Sequence, residues 1–163
     1  MYINSDMEIS AKPILDYYRR LDERDIESHG LIILRKGEVA FEHYIAPYSA
    51  DVPHSMFSLT KSVVSTAVGF AIEEGLFTLD DKVIDFFPEY EACKSDEWND
   101  MTVRSLLTMQ SNKEFSFTQD MRGNYVEMFM KAPFRKEDRG FLYSNNDAHM
   151  VAVAVERVAG MSL

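Results

Sequence analysis

The sequence predicts an α+β fold, in which one helix and a β-hairpin are followed by a long run of helices. Three observations lead to this class. An amphipathic segment comes first, two runs rich in β-branched and aromatic residues follow on either side of a tight turn, and the apolar spacing after residue 54 is helical. Because strands and helices do not alternate along the chain, a parallel βαβ sheet is not expected.

The first two elements can be located from their apolar residues. Residues 9–26 predict an amphipathic helix with a charged outer face. The apolar positions of this helix are Ile14, Leu15, Tyr18, Leu21 and Ile26. A hairpin should follow, with strands at Leu31 to Leu34 and Val39 to Tyr44 and a tight turn at Arg35–Gly37.

The most apolar helix is predicted over residues 59–74. Apolar residues occupy nearly every face of this segment, which is typical of a helix buried on all sides. Gly75 stands where a C-terminal cap belongs, since glycine adopts the left-handed conformation that ends many helices. A charged residue, Lys61, nevertheless lies in its first turn, and that position needs an explanation.

Three shorter or later helices complete the prediction. Thr102 is expected to cap a helix in "MTVRSLLTM", and another helix is expected at 123–131. The last helix should run from Asp147 to Ala159. Its N-cap is predicted to be Asn145 or Asn146, and Gly160 is predicted to close it.

Composition excludes several classes of function. The 163 residues are enough for one domain with a hydrophobic core, and 46% of them are hydrophobic. A net charge of −10 with no basic run argues against binding to nucleic acid or to an anionic membrane. A single cysteine, Cys93, rules out an internal disulfide. Because neither a signal peptide nor a membrane span is evident, we expect a cytoplasmic protein.

Ser58 and Lys61 suggest a catalytic pair at the start of the apolar helix. Positions i and i+3 share one helix face, so the hydroxyl and the amine would point into the same volume. A lysine amine can take a proton from serine when burial and the helix dipole disfavour its charged form. The alternative is structural: Ser58 would be an N-cap, and Lys61 would extend to the surface.

Tyr143 and Asn145 form a second polar motif in "FLYSNNDAH", ahead of the last helix. A tyrosine beside a lysine ammonium could relay a proton to a leaving group, and an asparagine can bind a substrate amide. Taken alone, the motif is more typical of an ordinary helix start with an asparagine cap and a core tyrosine. A Ser-His-Asp site using His54 or His149 is a distant alternative, because Gly-x-Ser-x-Gly is absent.

The two motifs together resemble the serine β-lactamase and penicillin-binding protein superfamily, in its class C branch. The resemblance rests on Ser58-Leu-Thr-Lys61 and Tyr143-Ser-Asn145, and on "AVGFAIEEGLFTLDDKVIDFFPE", "MTVRSLLTMQSN" and "VAVAVERVAGMSL". It implies that Ser58 is an acylated nucleophile, Lys61 its base and Tyr143 a proton relay. It also implies that Asn145 contacts the substrate and that the Ser58 amide is one oxyanion donor. The implied substrate is a small ester or amide, and no cofactor or metal is implied.

One family motif is missing from the chain. The resemblance implies a Lys/His-x-Gly strand after Tyr-x-Asn, and no "KTG", "KSG" or "HTG" occurs. We therefore expect residues 1–163 to be a partial domain, a poor catalyst alone, associated with a second copy or a complementing segment. Two hypotheses follow: a serine hydrolase working through an acyl-enzyme on an ester or amide, or an inactive, truncated protein of this fold that binds or assembles.

Overall fold

A computed structural model of the protein describes residues 2–4, 8–114, 123–137 and 140–162. The chain divides into two units. We call Met1–Ser55 the sheet unit and Met56–Leu163 the helical unit. Within the described ranges, no helix combines the length and the apolar character that crossing a bilayer requires.

The sheet unit contains three antiparallel strands in the order β1-β3-β2. They are β1 (Tyr2–Ile3), β2 (Gly30–Arg35) and β3 (Glu38–Tyr44). The predicted hairpin is confirmed, and its two-residue turn has positive φ at Lys36 (54°) and Gly37 (81°). That geometry matches the right-handed twist of the strands it joins. The short strand β1 was not expected from the sequence.

Helix α1 (Ala11–Asp22) is shorter than the predicted 9–26. Ile14 is buried and Tyr18 is half-buried, as expected for the inner face of an amphipathic helix. Leu15, however, is 66% exposed, and Ile26 lies beyond the helix and is 50% exposed. The helix ends early because Asp25 adopts a left-handed conformation, with φ of 53°.

The helical unit begins with a 3₁₀ turn, Phe57–Leu59, that leads directly into helix α2 (Thr60–Glu73). Gly75 adopts the predicted left-handed conformation, with φ of 72°. The expectation that α2 is buried on all sides is wrong. Its buried face contains Val68 and Ala71, whereas Val63 is 67% exposed and Phe70 is 62% exposed, since the helical unit packs against one side of α2 only.

The later helices agree with the sequence except at one cap. They are α3 (Val103–Leu107), α4 (Tyr125–Lys131) and α5 (Asn145–Ala159). Thr102 forms the predicted cap of α3, reinforced by Ser105, and Gly160 closes α5 with φ of 67°. The N-cap of α5 is Ser144, whose hydroxyl accepts from the Asp147 amide at 3.1 Å. Neither Asn145 nor Asn146 is the cap.

A hydrophobic cluster forms the core of the helical unit. Trp98, Phe87 and Phe129 are at most 1% exposed and form its largest members. Residues from α2, α3, α4 and α5 all contribute to it. The remaining buried members are Val68, Ala71, Phe77, Val83, Ile84, Met101, Val103, Leu106, Met130, Met150, Val151 and Val155.

Lys113 is buried beside this cluster and is 4% exposed. Its ammonium lies 4.0 Å from the ring centroid of Phe134, 4.4 Å from that of Trp98 and 5.7 Å from that of Phe129. It also donates a hydrogen bond to the Ala132 carbonyl. Burial lowers the pKa of Lys113 to about 8, because the charged form loses its water. No sequence pattern predicted this buried charge.

Candidate functional site

The structure brings together all four residues that the sequence singled out. Ser58 lies in the 3₁₀ turn before α2, and Lys61 lies in the first turn of α2. Tyr143 and Asn145 come from the start of α5 and the loop before it. All four belong to the helical unit, so the site is contained within one packed body.

Ser58 sits on a strained turn at the surface. Phe57, immediately before it, is a non-glycine residue with φ of 43°, a conformation that costs free energy and is concentrated at functional sites. The Ser58 side chain is exposed. Among the described residues, the Ser58 backbone N–H donates no hydrogen bond. That amide is therefore available to a bound group.

Lys61 connects the two halves of the site. Its ammonium donates to Asn145 Oδ1 at 2.6 Å and to Ser58 Oγ at 3.2 Å. It also lies 4.9 Å from the centroid of the Tyr143 ring. The expected burial of Lys61 is not found, since this residue is only half-buried. The surroundings of its ammonium are therefore the polar and aromatic groups of the site and, in part, solvent.

Tyr143 makes the shortest contact with the serine. Its Oη lies 2.5 Å from Ser58 Oγ. The neighbouring Lys61 ammonium, and then the hydrogen bond with Ser58, lower the pKa of Tyr143, since both favour the phenolate. Ser58 Oγ thus contacts two groups that could accept its proton, Tyr143 Oη and Lys61 Nζ.

Behind the loop that carries Tyr143 lies a polar network that the sequence analysis missed. Asp147 is 1% exposed and accepts three hydrogen bonds. They come from Ser111 Oγ at 2.9 Å, Ser111 N at 3.2 Å and Ser144 Oγ at 2.7 Å. Burial raises the pKa of Asp147, and these hydrogen bonds oppose that rise. The available signal was an acidic residue at the third position of a serine-capped helix.

A cavity of about 220 Å³ borders the same loop. Its lining includes Tyr143, Asn145 and Asp147 from the loop and α5, and Ser111 and Phe129 from other segments. The other lining residues are Met109, Asn112, Lys113, Arg135, Gly140, Leu142, Ser144 and Asn146. The loop therefore borders a mostly polar cavity at this point.

The histidine alternatives are not supported by contacts. His54 Nε2 lies 2.8 Å from His29 Nδ1 within the sheet unit, and the His149 ring lies against Tyr125. In the described ranges, the hydrogen-bond partners of the Ser58 hydroxyl are Tyr143 and Lys61, and no imidazole is among them. Those ranges also contain no group of three or more His, Cys, Asp or Glu residues arranged to hold a metal ion.

Comparison with known proteins gives consistent matches. The family model "Beta-lactamase" matches residues 16–163. A 6-aminohexanoate-dimer hydrolase from Paenarthrobacter ureafaciens is 28% identical over 95% of this chain and 44% of its own length. A class C beta lactamase from Rhodobacter sphaeroides superposes with a TM-score of 0.69 at 20% identity, over 94% of this chain and 45% of that one. FmtA from Staphylococcus aureus gives a TM-score of 0.71 at 14% identity, over 94% and 46%.

The chain spans less than half the length of these relatives. The structural matches confirm the predicted fold, a small antiparallel sheet with a substantial helical region. The family match covers well over half of the chain and includes every residue of the site. The resemblance inferred from the sequence is thereby confirmed: the chain belongs to the Beta-lactamase family.

Proposed function

We propose that the protein is a serine hydrolase that acts on an ester or amide through an acyl-enzyme, with Ser58 as nucleophile. The observation that carries this proposal is the contact of Ser58 Oγ with Tyr143 Oη at 2.5 Å and Lys61 Nζ at 3.2 Å. Membership of the family, and a relative named for hydrolysis of the 6-aminohexanoate dimer, support hydrolase chemistry.

In the proposed first step, Ser58 Oγ attacks the substrate carbonyl carbon. Its proton passes to Tyr143 Oη, either directly or by way of Lys61, since both groups contact Ser58 Oγ. The carbonyl oxygen becomes an anion that the free Ser58 N–H can stabilise. Tyr143 then protonates the leaving alcohol or amine as the C–O or C–N bond breaks, which leaves an ester on Ser58. In the second step the oxygen of a water molecule attacks the ester carbonyl, a proton from this water goes to Ser58 Oγ as the Ser58 O–C bond breaks, and the acid is released.

Asn145 has two roles in this proposal. Its Oδ1 accepts from Lys61 at 2.6 Å, which orients the ammonium between the serine and the loop. Its Nδ2 remains able to donate to a substrate carbonyl, since an asparagine amide has separate donor and acceptor groups. No cofactor or metal takes part in the proposed steps.

The second hypothesis, an inactive protein of this fold that binds or assembles, is favoured by the openness of the site. Ser58, Tyr143 and Asn145 are all exposed. Electrostatic stabilisation of an anion is weaker when water reaches the site. A site of this kind could bind an ester or amide without turning it over.

The test is the mass of the protein after exposure to a fluorophosphonate. We expect one covalent adduct on Ser58, formed as its oxygen displaces fluoride from phosphorus. Ser58→Ala should abolish the adduct, whereas Ser65→Ala, which replaces a serine on the same helix, should leave it unchanged. If the Ser58→Ala variant is still labelled, the nucleophile is a different residue. If the native chain is not labelled, the binding hypothesis is favoured.

Association with a second copy remains a prediction. Among the described residues, β2 pairs on one edge only, with β3. Ile32 and Leu34 of this edge strand are 47% and 62% exposed. An unpaired edge with exposed apolar side chains favours pairing with another strand. Light scattering after size-exclusion chromatography should give the mass of a dimer or a larger oligomer, and the mass of a monomer would contradict the prediction.

The expected cytoplasmic location also remains a prediction.

A further inference from the structure

We propose that Asp147 is a positioning residue that holds the Tyr143–Asn145 loop in its catalytic geometry, by joining Ser144 to Ser111. The proposal rests on the proposed function, because it concerns the same site. Asp147 itself touches none of the reacting atoms in the proposed mechanism. It acts through Ser144, the residue between Tyr143 and Asn145 in the sequence.

The Asp147 carboxylate connects separate segments of the chain. Asp147 Oδ1 accepts from both Ser144 Oγ, at 2.7 Å, and Ser111 Oγ, at 2.9 Å. Oδ2 accepts from Ser111 N at 3.2 Å. The Asp147 amide in turn donates to Ser144 Oγ at 3.1 Å. One buried side chain thus joins the start of α5, the loop before it and the segment after α3.

The loop also borders open space rather than a filled core. A cavity of about 220 Å³ is lined by residues 142–147 together with Ser111 and Phe129. Phe141, Leu142 and Tyr143 are 64%, 45% and 53% exposed. Besides the contacts of Tyr143 and Asn145 in the site, the described part of the chain shows two backbone N–H groups of the loop bonded to Met109: Leu142 N donates to Met109 O at 3.1 Å, and Ser144 N donates to Met109 Sδ at 3.3 Å. Hydrogen bonds to a charged acceptor are the stronger kind.

The position of the loop determines two contacts that the proposed reaction needs. Tyr143 Oη and Asn145 Oδ1 contact Ser58 and Lys61 over 2.5 Å and 2.6 Å, respectively. Both contacts require the loop to stay where it is. A displacement of about 1 Å at a reacting group can cost roughly a hundredfold in rate. Release of Ser144 should therefore weaken both contacts at once, without changing either catalytic side chain.

The experiment compares Asp147→Ala with Thr102→Ala. Thr102→Ala removes the N-cap of α3, which typically costs about 1 kcal/mol, and leaves the loop untouched. It is therefore a control for lost stability alone. Two quantities are measured for each variant: hydrogen–deuterium exchange in residues 140–147, and the pH dependence of acylation of Ser58 by a fluorophosphonate.

For Asp147→Ala we expect faster exchange in residues 140–147 and roughly a hundredfold slower acylation. The pH at which acylation rises should also move upward. Contacts with Lys61 and Ser58 lower the pKa of Tyr143, and a released loop loses them. Thr102→Ala should leave the loop exchange and the pH midpoint unchanged. Asp147→Asn should fall between Asp147→Ala and the native chain, because an amide oxygen can still accept from both hydroxyls while its NH₂ would face Ser111 N–H.

Each other outcome has a definite meaning. If Asp147→Ala behaves like Thr102→Ala in both measurements, the positioning role is wrong. If Asp147→Ala does not fold, Ser111→Ala and Ser144→Ala each remove one hydroxyl donor, and each should raise loop exchange to a smaller extent. If the native chain forms no adduct, the proposed function fails, and loop exchange alone still decides whether Asp147 holds the loop.

Discussion

The sheet unit and the helical unit differ in how much of their apolar surface they bury. Among the described residues of the sheet unit, the buried apolar side chains are Ile14, Ala40 and Phe41, while Ile32 and Leu34 are exposed. The described part of the helical unit has a cluster of fifteen buried residues. All four proposed catalytic residues belong to this second unit, although they lie at its surface. The difference suggests that precise placement of exposed reactive groups depends on a well-packed body beneath them.

Truncating a buried side chain should destabilise the helical unit more than a matching truncation destabilises the sheet unit. Leu106→Ala removes a side chain that is 1% exposed from the cluster and should cost about 2–5 kcal/mol of unfolding free energy. Ile32→Ala in the sheet unit removes a side chain that is 47% exposed and should cost less than about 1 kcal/mol. Urea denaturation followed by circular dichroism measures both. Equal losses of unfolding free energy would show that the two units do not differ in how strongly packing stabilises them.

The next effect tests whether the chemistry belongs to the helical unit. Tyr143→Phe and Lys61→Ala should each slow acylation of Ser58 by roughly a hundredfold, the usual scale for a lost proton-transfer partner. Tyr44→Phe is the matched control, since the Tyr44 hydroxyl donates to Glu42 at 2.8 Å within the sheet unit. It should leave the acylation rate unchanged. If neither Tyr143→Phe nor Lys61→Ala slows the reaction, another residue is the base.

The smallest effect concerns the buried charge of the helical unit. The pKa of Lys113 is lowered from 10.5 to about 8, so the unfolded chain binds the extra proton between these values. Unfolding free energy should therefore rise with pH from about 8 to about 10.5, by at most roughly 3 kcal/mol. Lys113→Met should remove this rise, and Lys12→Met, at an exposed helix position, should preserve it. A rise that persists in Lys113→Met would exclude Lys113 as its source.

Local patterns predicted most of the elements because their signals are local. The Lys36–Gly37 turn, the Thr102 cap and the left-handed Gly160 each depend on a few neighbouring residues. The cap of α5 was misassigned because Ser144, Asn145 and Asn146 are all good capping residues in a row. Only the geometry distinguishes among them.

Features that depend on distant residues could not be read from the sequence. The burial of α2 was overestimated, since apolar spacing shows which residues could be buried and not whether a neighbour covers them. Asp147 meets Ser111 across 36 positions, and Lys113 meets its aromatic rings only after the chain folds. The spacing of Ser58 and Lys61 indicated a pair, whereas their closeness to Tyr143 was inferred through the family resemblance.

Trp98 provides an intrinsic fluorescence signal for the helical unit. It is the only tryptophan in the chain, it is 1% exposed, and the Lys113 ammonium lies 4.4 Å from its ring centroid. Indole fluorescence therefore follows the core of the helical unit and has no tryptophan signal from the sheet unit. Because the pKa of Lys113 is about 8, mild alkali removes a positive charge from the face of this indole. A change in emission near that pH would reveal the ionisation of one buried side chain in the intact protein, without a label.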